Sequence, residues 1–213
     1  MYLVGMMFTE AAMSSFASLG GLFIQVQLGG SGVQVASVIA TLLIVATPSS
    51  ALCVKVSEAY GRWYGDDLGA RRLLCTTLLY LFATTLMAPV VLTGPETIHY
   101  AYLFAVVWGL GFGFYYSLNR AVYVYIIPGG EEAKYIGVNL CASNLLGWLP
   151  PLIFSQLNRA LNDMRIGLVV LAAFFPIGTA AIASIDMKDA RGRVVGTLAG
   201  RAGAGGLELR ESR

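Results

Sequence analysis

The sequence predicts an all-α integral membrane protein with six transmembrane helices. Three observations carry that prediction. Hydrophobic residues make up 57% of the 213-residue chain and charged residues only 12%, whereas a soluble domain holds about 25% charge. Six apolar runs reach or approach the roughly 20 residues that cross a bilayer core. The connections between those runs alternate between basic and nearly uncharged, as membrane topology requires and a soluble core does not.

Taken in order, the first run covers residues 2–26 and closes in the polar, Gly-rich turn QLGGSG. The second covers 33–56, is interrupted by Pro48 and ends at Lys55. The third covers 73–92 and is closed by TGPET. The fourth covers 100–127 and stops at the break Pro128-Gly129-Gly130, where proline removes a donor and glycine frees the backbone. Glu131-Glu132-Ala133 then opens the fifth, 133–156, in which Pro150-Pro151 is expected to kink or break the helix. The sixth covers 166–185. Residues 186–213 are rich in Gly, Ala and Arg with no sustained apolar period, and a disordered basic cytoplasmic tail is expected there.

Orientation follows from the basic residues. Lys55, Arg62, Arg71, Arg72, Arg120, Lys134 and the six Lys and Arg residues after position 185 fall on one side, 12 in all. The opposite side has only Arg159 and Arg165. The positive-inside rule places both termini and the two basic loops in the cytoplasm. No basic stretch precedes the first apolar run, because Lys55 is the first lysine or arginine. A cleavable signal is therefore not expected, and a chain that opens inside a transmembrane helix reads as the later part of a longer transporter.

Several functions are not expected. A formal net charge of +2, with no basic patch interleaved with aromatics, gives nothing for nucleic acid to bind. Cys53, Cys75 and Cys141 lie in or beside apolar segments without metal-ligand spacing, so they read as packing residues and neither metal nor other cofactor is expected. His99 is the one histidine, and no Ser/His/acid set can be assembled, so the chain is not read as an enzyme.

The residues able to handle a solute are polar side chains inside apolar runs. Burying an arginine at a bilayer centre costs at least about 2.5 kcal/mol, so Arg120 is either a helix-end anchor or part of a polar pathway. Tyr115, Tyr116 and Asn119 sit within about a turn of it and offer hydroxyls and an amide near a cation that binds carboxylates bidentately. Glu10 lies about a third of the way into the first run, where a carboxylate is a candidate to carry a coupling proton; the alternative is that the start of the run leaves it near the membrane interface. Asn139, Ser143, Asn144 and Trp148 recur along the fifth run and are expected to face a cavity or a neighbouring helix. Gly109, Gly111 and Gly113 permit close helix approach rather than a phosphate loop, since no strand precedes them.

The connection GRWYGDDLGARR, residues 61–72, resembles the signature loop of the major facilitator superfamily, G-R-x-x-D-R-x-G-x-R-R. Asp66, Gly69, Arg71 and Arg72 match its second part; the loop is one residue longer, and Asp67 stands where arginine is usual. With Glu132 on the same side, these residues form a candidate cytoplasmic gate, built on a tight turn at Gly69. The alternative is a solvated charged loop that enforces topology.

A narrower resemblance lies in RAVYVYIIPGGEEAKYIGVNL and the LPPLIFSQL that follows. These are similar to the autophagy-related vacuole effluxer family within that superfamily, which carries S-x-x-R-x-x-x-x-x-x-I-P-x-G-x-E-A-x-x-x-G and then G-P-L-x-F. The matching positions are Ser117, Arg120, Ile127, Pro128, Gly130, Glu132, Ala133, Gly137, Pro151, Leu152 and Phe154; Pro150 departs from the family's usual glycine. The resemblance implies the C-terminal six-helix half of a transporter built from inverted three-helix repeats, although no repeat is evident in the sequence. It further implies export of neutral amino acids from a vacuole by alternating access. The lipid bilayer, a small solute, and a missing N-terminal half or a second copy of the chain would be the partners. A non-transporting scaffold, or a sugar or drug permease, stands as the alternative.

Overall fold

The computed structural model describes residues 2–64, 66–127, 130–161 and 164–185. Among the described residues there are seven α-helices and one 3-10 turn. The helices are α1 (Tyr2–Val26), α2 (Gly32–Tyr64), α3 (Asp66–Val91), α4 (Ile98–Ile126), α5 (Glu132–Leu145), α6 (Leu149–Leu161) and α7 (Met164–Ala183), with the 3-10 turn at Pro95–Thr97. α5 and α6 together make one membrane-length segment, so six segments are long and apolar enough to cross a bilayer. The tail expected to be disordered, 186–213, lies outside the described residues.

The element boundaries follow from local chemistry. Gly29 adopts φ 64° in the turn after α1, a left-handed conformation that glycine takes without steric cost. Ser31 then caps α2 reciprocally with Gln34: the Ser31 amide donates to Gln34 Oε1 at 2.8 Å and the Gln34 amide donates to Ser31 Oγ at 3.3 Å. That exchange satisfies amides a helix start leaves without intrahelical partners. The helix of the fifth segment stops at Leu145 and restarts at Leu149, with Pro150 and Pro151 in the first turn of α6, where missing amide donors are tolerated.

The expected tight turn at Gly69 is corrected. α2 continues to Tyr64 and α3 starts at Asp66, so almost all of the 61–72 connection is helical. Gly69 lies inside α3, where a Cβ would stand 3.1 Å from the backbone of Gly61. Its role is to let two helix ends approach, and sequence reasoning missed this because a loop glycine and a contact glycine look alike in one dimension.

The bundle has an internal symmetry that the sequence does not display. α1 packs on α7, and α3 packs on α4; α2 packs on α4, and the α5–α6 segment packs on α1; α2 meets α3, and α6 meets α7; α3 and α7 pack on each other. Apart from a smaller α1–α2 contact, exchanging the first three segments with the last three maps these contacts onto one another. Contiguous helix positions alternate in direction, so the exchange is an inversion across the membrane plane.

Glycines set the closest approaches. A Cβ at Gly113 would fall 2.4 Å from the Ala46 carbonyl oxygen, and one at Gly111 would fall 2.5 Å from Leu81. The two face opposite neighbours, α2 and α3, which is what alternate small residues on one helix allow. On the α3–α7 side, Arg71 donates to the carbonyls of Ala183 and Ile185 at the end of α7. Arg165, at the start of α7, donates to the Thr93 carbonyl just beyond α3, at 2.5 Å. Each arginine therefore satisfies terminal carbonyls of the antiparallel partner helix, one at each end of the pair.

Candidate functional site

The polar groups meet where α1 faces α4. Tyr2, Met6, Thr9, Met13 and Phe16 recur at helical spacing on α1 and are all buried; Trp108, Phe112, Tyr115, Asn119 and Tyr123 do the same on α4. Such spacing puts each set on one helix face. The stripes meet mainly through long side chains. Phe16 packs edge-on against Trp108 with centroids 4.5 Å apart, and against Phe112 at 5.3 Å. Tyr2 stacks on Tyr123 at 5.6 Å.

Between those aromatic contacts lies a hydrogen-bonded cluster with Asn119 at its hub. The Tyr2 hydroxyl donates to Asn119 Oδ1 at 2.5 Å and lies 2.8 Å from the Asn119 carbonyl oxygen. Asn119 Nδ2 donates to Glu10 Oε1 at 3.2 Å and to the Tyr115 hydroxyl at 3.5 Å. The Tyr115 hydroxyl also shares a 2.9 Å hydrogen bond with Thr9 Oγ1. Tyr115 and Thr9 are fully buried, and Asn119 nearly so. Glu10 is only partly buried, so its carboxylate joins this interior network to more accessible space. Tyr116 and Arg120 stand within electrostatic reach of Glu10, and Tyr116 meets Tyr115 edge-on at 5.2 Å.

This arrangement brings together the chemical groups that a polar solute or a proton would need. Glu10 and Arg120 supply opposite charges, while Asn119 and the tyrosines supply donors and acceptors of fixed direction. Helices at membrane depth keep such groups where they face one another or a cavity.

Of the sequence candidates, the structure gathers Glu10, Tyr115, Tyr116, Asn119 and Arg120 into one place, although Glu10 is 109 residues from Asn119. It does not gather the fifth-segment residues with them. Asn144 is exposed and its amide donates to Leu140 O of its own helix at 2.8 Å; Ser143 bonds the same carbonyl at 3.0 Å. Trp148 is 62% exposed. Asn139 is different: its Oδ1 is buried and has no hydrogen-bond partner among the described residues.

The gate candidates have local partners of their own. Arg71 caps α7, Gly69 packs on Gly61, Arg72 is exposed, and Glu132 accepts the Gly130 amide at 2.9 Å. The side chains of Asp66 and Asp67 lie outside the described residues. Sequence reasoning missed Tyr2, Thr9 and Trp108. Tyr2 and Thr9 share the α1 stripe with Met6 and Met13, and that seven-residue spacing was the available signal. Trp108 Nε1 is buried without a partner among the described residues, which no sequence pattern announces.

An all-helical bundle with six membrane-length segments defines the class, an integral membrane protein. The family model described as vacuole effluxer Atg22-like matches residues 1–194. The chain belongs to that family, and the resemblance expected from the Ile127–Gly137 region is upheld. No curated protein and no solved structure matches the chain.

Proposed function

We propose that this chain forms the C-terminal half of an effluxer that moves small solutes, neutral amino acids foremost, by alternating access. Family membership supports the class. The observation that carries the mechanism is the hydrogen bond between Glu10 and Asn119 across the α1–α4 seam. A carboxylate within a membrane span is costly and is retained where it does work. In this reading Arg120 and Tyr116 receive the carboxylate of the solute at the mouth of the seam, and Asn119 and Tyr115 orient it. Glu10 takes up and releases the coupling proton. The symmetric contacts of the six segments favour rocking against a second six-segment bundle, either an N-terminal half or a second copy. Both termini face the cytoplasm, and the vacuolar membrane is the setting the family points to.

The experiment is efflux of labelled leucine or tyrosine from vesicles reconstituted with the protein. Efflux no faster than from protein-free vesicles ends the reading for this chain, and a panel with sugars and amphiphilic drugs separates the rival permease. Glu10→Gln keeps the size and hydrogen-bonding capacity of the side chain and removes its charge. Its efflux is expected to lose dependence on an imposed pH gradient while still binding leucine. A variant that responds to the gradient like the parent excludes Glu10 as the proton carrier.

A further inference from the structure

α5 is attached to the bundle lightly. It packs on α1, yet none of its residues is buried as a whole. Two hydrogen bonds pin the segment. The Tyr123 hydroxyl donates to the Tyr135 carbonyl at 2.6 Å, and Ser15 Oγ donates to the Gly147 carbonyl at 3.3 Å. Tyr2 stacks on Tyr123, so Tyr2 lies level with Tyr135 as Ser15 lies level with Gly147. On this parallel register Asn139 falls level with Met6 and Met7. α4 meets another edge of the same stretch of α1. Thr9 pairs with Tyr115 and Phe16 with Trp108, and that antiparallel register puts Asn119 level with Gly5 and Met6. Asn119 and Asn139 therefore flank α1 at one depth. Glu10 starts about a turn further along α1 and reaches back to that depth, where Oε1 accepts from Asn119 Nδ2. It also stands one turn before Ser14 on the same face, and a Cβ at Gly147 would lie 3.7 Å from Ser14 Oγ. Glu10 is thus placed between the α4 and α5 sides of α1.

The two amides offer opposite groups. Asn119 presents a donor to Glu10, whereas Asn139 Oδ1 is a buried acceptor with no hydrogen-bond partner among the described residues. An ionised carboxylate only accepts, but a neutral carboxyl has one O–H to donate. We propose that Asn139 is the positioning residue for the protonated state of Glu10. A hydronium ion gives its proton to a carboxylate lone pair and leaves as water; the new O–H then donates to Asn139 Oδ1. With the charge gone, the bond from Asn119 weakens and its amide becomes available to the solute. Proton uptake so adds a third attachment of α5 to α1. α5 can seat apart from α6, because the helix is broken between Leu145 and Leu149 and α6 packs on α7. The titratable and charged groups around Glu10 are Tyr2 on α1 and Tyr115, Tyr116 and Arg120 on α4. α5 brings Tyr135 and Lys134 toward its start. α6 and α7 carry only Arg159 and Arg165, at the opposite end, and α2 meets α1 near Gly21, roughly 16 Å beyond Glu10. This inference rests on the reading of Glu10 as the proton carrier and not on the identity of the solute.

The test is infrared difference spectroscopy of the full chain in lipid nanodiscs on acidification. The carboxyl band that Glu10→Gln abolishes reports protonated Glu10. Asn139→Leu should move that band to higher frequency, because the O–H loses its acceptor. Asn139→Gln, which keeps an amide oxygen, should bring it back toward the parental position, with helix content unchanged in both. Cys141→Leu, at an exposed position on the same helix, should leave the band in place. A second measurement reads α5 directly. Electron-resonance distances between spin labels at Val138 and Val54, both exposed, in a chain with its native cysteines replaced, should narrow in distribution on acidification, and should not do so with Asn139→Leu. The proposal is overturned if Glu10 gives no protonated band, if Asn139→Leu leaves the band unmoved, or if Cys141→Leu moves it as far. It is also overturned if Asn139→Gln behaves as Asn139→Leu, or if the distances ignore pH. Efflux that fails while the band behaves as stated ends the transport reading alone; intact efflux with an unmoved band ends only this one.

Discussion

At the scale of single residues, Asn119 matters more than its size suggests. Its amide accepts from Tyr2 and donates to Glu10 and Tyr115, so one side chain satisfies groups on both helices. Asn119→Leu preserves volume and removes all three side-chain bonds at once, leaving Tyr2 the backbone carbonyl and Tyr115 its bond to Thr9, and Glu10 without its amide donor. A buried polar group left without its partner costs about 1–3 kcal/mol, and thermal unfolding in detergent should show a loss of that order. Efflux should fall further than stability does, since the Glu10 carboxylate loses its orientation. A variant with parental unfolding and parental efflux would remove Asn119 from the hub. The candidates Glu10, Tyr115, Asn119 and Arg120 were legible in the sequence because charge and amide stand out against an apolar background. That they form one cluster was not, because nothing in a linear chain links position 10 to position 119.

At the scale of helices, close packing and end-capping decide the arrangement. A Cβ on Gly113 would sit 2.4 Å from Ala46 O and 2.6 Å from Ser49 Cβ, whereas one on Gly137 meets nothing within 4 Å. Gly113→Val should therefore force α2 and α4 apart, with an overpacking cost of about 1–3 kcal/mol or more. Gly137→Ala should be neutral or stabilising by up to about 1 kcal/mol, because alanine favours the helix. Comparing the two unfolding midpoints checks both statements. Arg71 and Arg165 act at opposite ends of the α3–α7 pair. Removing either to alanine should cost about 1–3 kcal/mol, the usual range for hydrogen bonds from a charged group. The double variant should be additive, since the sites lie at opposite ends of the helix pair; a clear departure from additivity would show that the two ends are coupled. The sequence marked these arginines as a gate and a topology signal, and only the antiparallel pairing gives them terminal carbonyls to cap.

At the scale of the whole molecule, most contacts among the six segments relate the first three to the last three by inversion, with the α3–α7 pair and the side-chain seam between α1 and α4 shared between the two threes. The exposed apolar side chains of α2 and α5, such as Ile44 at 72% and Leu140 at 59%, present surfaces suited to lipid or to a second bundle. The orientation reading has a direct check. In a chain with its native cysteines replaced, a cysteine at Arg62 should react with a membrane-impermeant thiol reagent only from the cytoplasmic side. One at Glu96, in the loop between α3 and α4, should react only from the other. The reverse pattern would invert the assignment of both termini.

The sequence by itself determined the class, the number of segments and the family. Hydropathy, charge alternation and the Pro-Gly-Gly-Glu-Glu-Ala turn are local properties, and lipid as a solvent imposes its length requirement on each segment separately. The tertiary structure decided what the local signals left open: the inverted repeat, the helical course of the 61–72 connection and the joining of Glu10 to Asn119. Those depend on which helix faces lie within a few ångströms of each other. That is set by glycine contacts, aromatic interdigitation and capped ends acting together over the whole bundle, and no single stretch of chain encodes it.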